Sequence, residues 1–144
     1  MGLMSMLKWL IPLRLFYTVP HLIVLREWLL QNVPSGLIRA IISAESSWNA
    51  KAFRPEPQIG DASYGLMQIL LGTARQLGYK GTAEKLFEPS INIRLGARYL
   101  KSRMLLYSTY EEAIAAYNAG QPRRAADGRF INQAYVDKVM SLWR

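Results

Sequence analysis

A chain of 144 residues, 51% apolar and 19% charged, is long enough for one domain with a hydrophobic core and too apolar to stay disordered. Having no cysteine excludes disulfides and thiolate metal sites, and a single histidine, His21, excludes histidine triads and clustered-histidine metal sites. The net charge of +8 favours a polyanionic partner (nucleic acid, anionic membrane or acidic cell wall), yet the chain has no dense Lys/Arg tract and no nucleic-acid motif.

The first twenty residues are apolar and basic. Leu3, Leu7, Leu10, Ile11, Leu13, Leu15, Phe16 and Val19 alternate with Lys8, Pro12 and Arg14. No uninterrupted apolar run approaches the roughly 20 residues that cross a bilayer, and neither a long apolar core nor a small-residue cleavage site marks a signal peptide. Two readings of this arm stand: a cationic amphipathic segment on a membrane surface, or a helix packed on the domain. The pattern settles neither. From Leu22 to Asn32 a helix packed on the domain is expected.

Pro34 and Ser35 signal the start of the next helix, with Ser35 as a capping hydroxyl. Ile38, Ile41 and Glu45 follow at spacings of three and four, so they share one face. That face aims Glu45 at apolar surroundings, near the negative end of the helix dipole. Both effects favour the protonated carboxyl that a general acid needs. Taken alone, the stretch reads more readily as an amphipathic core helix with a partly exposed Glu in its last turn, because most such helices carry no chemistry.

A loop is expected over 49–64, with Pro55, Pro57 and Gly60 as breakers, and no strand pattern is recognised. Gly65, Leu66, Met67, Gln68 and Ile69 follow. Thr73 is placed to cap a short helix through Leu77, with Gly78 ending it. Ile91, Leu95, Tyr99, Leu100 and Met104 predict a helix over 91–107. Thr109 and Glu112 spell a capping box for a helix to about Asn118, which Gly120 and Pro122 stop. A last amphipathic helix is expected over 131–143. The fold class is mainly α in a single domain, with an arm over 1–20 and the domain over 21–144.

Four motifs then stand in order: Glu45-Ser46; Gly65-Leu66-Met67-Gln68; Ala116-Tyr117-Asn118-Ala119-Gly120; and Tyr135-Val136-Asp137-Lys138-Val139. With the helix from Asn92 to Leu100, they resemble the soluble lytic transglycosylase family, lysozyme-like proteins that act on peptidoglycan, including phage and secretion-associated members. The resemblance runs from about Val33 to Trp143. It implies that Glu45 is the single catalytic acid and that the Tyr117 hydroxyl orients its carboxylate. It also implies that Gly65, Leu66, Met67 and Gln68 line the glycan cleft, with Met67 and Gln68 against the sugars, that Asn118 sits beside Tyr117, and that Tyr135 is a lining aromatic.

The implied reaction cleaves the bond between N-acetylmuramic acid and N-acetylglucosamine and leaves a 1,6-anhydro end. One carboxylate suffices for this, whereas ordinary glycosidases use two. No metal and no organic cofactor is implied. The partners implied are peptidoglycan strands, with anionic membrane as a second contact of the arm. A monomer acting in the periplasm or cell wall is expected.

Two departures from the family pattern stand out. The loop after Glu45 is longer than in many members, and Arg54 occupies the place of a serine that contacts the substrate N-acetyl group, with Ser63 as a substitute. Asp61 lies near the Gly65 motif, so a goose-type lysozyme that uses Asp61 to position water is the alternative on the same fold. A turn role beside Gly60 is the simpler reading of Asp61. A non-catalytic cationic wall- or membrane-binding protein is the alternative from another class.

Overall fold

The structure, a computed structural model, describes residues 15–144. Most of the apolar arm therefore lies outside the described residues. Helix α1 (Leu15–Thr18) lies against α2 (Pro20–Gln31). Pro20 opens α2 two residues before the expected start, because its fixed φ and missing N–H suit a first helical position. Asn32 ends the helix in the left-handed region, at φ 53°, and its N–H donates to the Trp28 carbonyl. Among the described residues no helix is long and apolar enough to cross a membrane.

Helix α3 (Ser35–Ser46) buries Leu37, Ile38, Ala40, Ile41 and Ile42. The expected Ser35 cap is not made. Pro34 holds the cap position, and Ser35 is already helical. At the far end Ser47 and Trp48 both take positive φ, 50° and 65°. Trp48 is held there by a stack on His21, with ring centroids 4.2 Å apart, and by donating Nε1–H to Ser43 Oγ at 2.9 Å.

The expected loop contains a hairpin. Strands β1 (Phe53–Glu56), β2 (Asp61–Tyr64) and β3 (Ile69–Leu70) form an antiparallel sheet in that order. A 3-10 turn over Pro57–Ile59 and Gly60, at φ 64°, connects the first two. The strands escape a periodicity search because they are too short to alternate convincingly. Pro55 reads as a breaker, yet β1 is an edge strand, where proline costs no ladder bond on its open side. Arg54 pairs with Ser63, and Glu56 with Asp61.

The Asp61 carboxylate accepts N–H bonds from Gly72 at 2.8 Å and Leu71 at 3.3 Å, so it caps α4 (Leu71–Gln76). Thr73, expected as the cap, lies inside that helix. Gly78 follows it at φ 85°. A 3-10 turn (Glu84–Phe87) leads into α5 (Pro89–Leu106), again opened by a proline ahead of the expected start. Helix α6 (Tyr110–Ala119) carries the expected capping box. Glu112 N–H donates to Thr109 Oγ1 at 3.1 Å, and Thr109 N–H to Glu112 Oε2 at 3.2 Å. Helix α7 (Gln133–Trp143) begins two residues later than expected and leaves Ile131 exposed.

The helices pack as α2 on α5, α3 on α7 and α5 on α6, so the mainly α expectation holds. The turn between β2 and β3 is locked into α5 by buried Asn92. Its Nδ2 donates to the Tyr64 and Leu86 carbonyls, each at 2.7 Å, and its Oδ1 accepts the Met67 N–H at 2.7 Å. Gly65, at φ 72°, lets this happen: a Cβ there would stand 2.5 Å from Asn92 Nδ2. Met67 packs in turn on Gly96, where an added Cβ would meet Met67 Sδ at 2.4 Å.

Candidate active site

Glu45 lies in the last turn of α3, where the periodicity placed it. Packing of α7 on α3 brings Tyr135 to it, and the Tyr135 hydroxyl donates to Glu45 Oε1 at 2.7 Å. Burial raises the Glu45 pKa above its ordinary value. The Tyr135 hydrogen bond, then the Arg54 and Lys138 charges, pull it back, while the Glu56 charge adds to the rise. Lys138 is fixed nearby by donating Nζ–H to the Ala44 carbonyl at 2.8 Å. Burial and the Glu45 charge push the Tyr135 phenol up, so it stays protonated and remains a donor.

The resemblance implied this contact for Tyr117, and here the structure corrects it. The Tyr117 hydroxyl donates to the Met67 carbonyl at 2.8 Å. The physical reason is that a buried hydroxyl needs an acceptor and the β2–β3 turn supplies a carbonyl. Burial and the Glu45 charge push this phenol well up too. Tyr117 thus lines the cleft and braces the turn, while Tyr135 holds the acid.

A cleft of about 540 Å3 opens over Glu45. Of the expected lining residues, Ser63, Gln68, Tyr117 and Asn118 are on its wall. Gly65, Leu66, Met67 and Tyr135 are not among its lining residues, and Leu66 and Met67 have no exposed surface at all. Their side chains fill the core, and they shape the cleft only through the turn's backbone. Asp61 is also off the wall, its carboxylate spent on α4.

The polar atoms offered to a ligand follow from the bonds already made. Gln68 spends its Nε2 on the Ala52 and Gly65 carbonyls, leaving Oε1 as an acceptor. Asn118 Oδ1 accepts from Asn132 Nδ2 at 2.9 Å, which leaves the Asn118 amide N–H groups as donors. Arg54, noted from the sequence as a departure, is on the wall. Sequence reasoning missed Glu56, Gln58, Tyr99 and Arg123, which share it. Glu56 accepts from Arg54 Nε at 2.6 Å, Gln58 Nε2 at 2.8 Å and Ser63 Oγ at 3.4 Å, and the Gln58 and Arg54 bonds hold its pKa down. Only the hairpin pairing, invisible to periodicity, could have pointed to it. Among the described residues no group of three or more acidic or histidine side chains could hold a metal ion.

The site yields a signed expectation. Tyr135→Phe removes a hydrogen bond that favours the ionised carboxylate, so the Glu45 pKa rises further. Activity that needs protonated Glu45 is lost as pH rises through that pKa, so the alkaline limb of the rate profile moves to higher pH in Tyr135→Phe. The rate at the optimum falls about tenfold as the carboxyl loses its orientation. A limb left in place would mean that Tyr135 only packs.

The model of the Transglycosylase SLT domain matches residues 26–134. Protein IpgF of Shigella flexneri is 34% identical over 91 residues, which cover 62% of this chain and 59% of that protein. Invasion protein IagB of Salmonella typhimurium is 33% identical over 115 residues, covering 78% of this chain and 69% of IagB. The soluble lytic murein transglycosylase of Salmonella typhimurium is 35% identical over 125 residues, covering 76% of this chain but 18% of that protein. In three dimensions, an inactive mutant of the lytic transglycosylase Slt from Pseudomonas aeruginosa superposes with a TM-score of 0.65 at 27% identity, covering 83% of this chain and 22% of that one.

Proposed function

This chain belongs to the transglycosylase SLT domain family, with its lysozyme-like fold, and from that premise we propose that it is a peptidoglycan lytic transglycosylase with Glu45 as acid and then base. The observation that carries the reading is one half-buried carboxyl, pushed towards its protonated form and held by Tyr135 over a cleft. Protonated Glu45 would deliver its proton to the oxygen linking N-acetylmuramic acid to N-acetylglucosamine. The substrate N-acetyl group would share the developing positive charge at C1. Ionised Glu45 would then take the proton of the muramyl C6 hydroxyl as that oxygen bonds to C1. The tethered hydroxyl reaches an effective concentration of roughly 10⁵ M or more, which lets it outrun water.

Ser63, Gln68 and Asn118 are the residues we assign to sugar contacts, with Tyr117 as a wall. Every one of them comes from the same chain, so a monomer suffices. The site of action is the periplasm or cell wall, where this substrate is found.

The products test the reading. Mass spectrometry of digested peptidoglycan is expected to show 1,6-anhydromuramyl ends, one water lighter than hydrolysed fragments. Reducing muramic acid as the main end would make the enzyme a hydrolase. Asp61 is a poor candidate for the water-positioning carboxylate of such an enzyme, because its oxygens are occupied at the α4 N-terminus.

For the arm we propose contact with anionic membrane, on its apolar and basic composition. Removing residues 1–19 is expected to spare cleavage of isolated peptidoglycan and to abolish salt-sensitive binding to anionic vesicles. Equal loss in both assays would make the arm part of the fold.

A further inference from the structure

We infer that Arg123 is a carboxylate-binding residue of the cleft, which grips an acidic group carried by the muramyl residue of the glycan. The inference rests on the reading that the cleft takes peptidoglycan. It starts from the charges on the cleft wall, which are Glu45, Arg54, Glu56 and Arg123. Arg54 and Glu56 are committed to each other through a 2.6 Å ion pair. Glu45 carries a proton when poised as an acid. Among the described residues, Arg123 is then the one charge on the wall without a counterpart.

The neighbouring arginine shows what a structural role looks like in this loop. Arg124 donates Nη1–H to the Gly128 carbonyl at 2.8 Å, lies over the Phe130 ring at 4.0 Å and stands 3.8 Å from Glu112. Arg123 makes no side-chain hydrogen bond or ion pair among the described residues, and it is exposed. Its backbone is nevertheless fixed. The Arg123 N–H donates to the Gln121 carbonyl at 2.9 Å, its own carbonyl accepts from Ile131 N–H at 2.9 Å, and Arg124 bridges Phe130 in antiparallel fashion. A free guanidinium on an anchored backbone, at the wall of a cleft, is placed to bind a ligand rather than to hold the loop.

The chemistry of the substrate says which ligand. The sugar rings of the glycan carry no charge. Its anionic groups hang from the lactyl ether of the muramyl residue: the lactyl carboxylate itself when the peptide is absent, or the carboxylates of the attached peptide. A guanidinium fork matches a carboxylate with two parallel N–H bonds.

Binding of soluble glycan fragments to the Glu45→Gln protein tests this without turnover. Three fragments serve: peptide-bearing, peptide-stripped, and peptide-bearing with its carboxyls capped as amides. The peptide-bearing fragment is expected to bind about fivefold more tightly than the capped one, the upper end for an exposed ion pair. Adding Arg123→Gln should erase that difference while leaving capped-fragment affinity and Tm unchanged, and Arg123→Lys should restore part of it. Tight binding of the stripped fragment would show that Arg123 also takes the free lactyl carboxylate, and weak binding would restrict it to the carboxylates of the peptide. Either result supports the carboxylate grip. An Arg123→Gln protein that binds all fragments as before, or loses capped and uncapped fragments equally, would overturn it. Failure of the transglycosylase reading would show separately, as no anhydro product from the parent protein.

Discussion

Glu45→Gln is expected to abolish glycan cleavage, with a loss of about 10²–10⁴-fold or more, while the protein folds at least as well as the parent. Glutamine matches the carboxyl in shape and still accepts the Tyr135 hydroxyl through Oε1. What it lacks is the proton to donate and the charge to take one back. The stability side has a sign as well. A carboxyl whose folded pKa is raised binds its proton more tightly when folded than when unfolded. It therefore costs stability at pH above its folded pKa, where the half-buried group must ionise, and that cost fades as pH falls below its ordinary value. Tm of Glu45→Gln should exceed that of the parent at alkaline pH, and the gap should close on acidification. Turbidity loss of purified walls at more than a few per cent of the parent rate would remove Glu45 from its role. A Tm lower than the parent at every pH would mean that its carboxyl holds the fold together.

Asn92→Ala should be the most damaging single change away from the acid. It strips partners from two carbonyls and one N–H in a fully buried place. Leaving buried polar groups unpaired costs about 1–3 kcal/mol each. A loss of about 3–5 kcal/mol is expected in urea unfolding, a large part of the about 5–15 kcal/mol that holds a domain together. Activity should fall with it, because the turn that carries Gln68 into the cleft hangs on these bonds. Gly65→Ala, which drives a Cβ into Asn92 and forces an unfavourable positive φ, should resemble it in both readouts. Native stability in Asn92→Ala would show that water or a relaxed turn replaces the amide.

Local rules carried much of this molecule. The α3 stretch, the capping box at Thr109 and the helix over 89–106 are visible in the sequence because helical periodicity and cap chemistry act between near neighbours. The four ordered motifs pointed to the family, and Glu45 emerged both as its matching acid and as the polar end of an apolar helical face. Ser63, Gln68, Tyr117 and Asn118 also line the cleft.

The remainder depends on segments far apart in the chain. Which tyrosine holds Glu45 was decided by the packing of α7 on α3, ninety positions away, and by a turn carbonyl that claimed Tyr117 first. Leu66 and Met67 belong to a motif that shapes the cleft, yet their side chains point into the core because Asn92 fixes the turn's orientation. Asp61 became a helix cap, and Glu56 a cleft carboxylate, through a hairpin too short to show alternation. Side-chain spacing encodes which residues share a face. Which hydroxyl meets which acceptor is settled only when distant elements pack and every buried polar group has to find a partner.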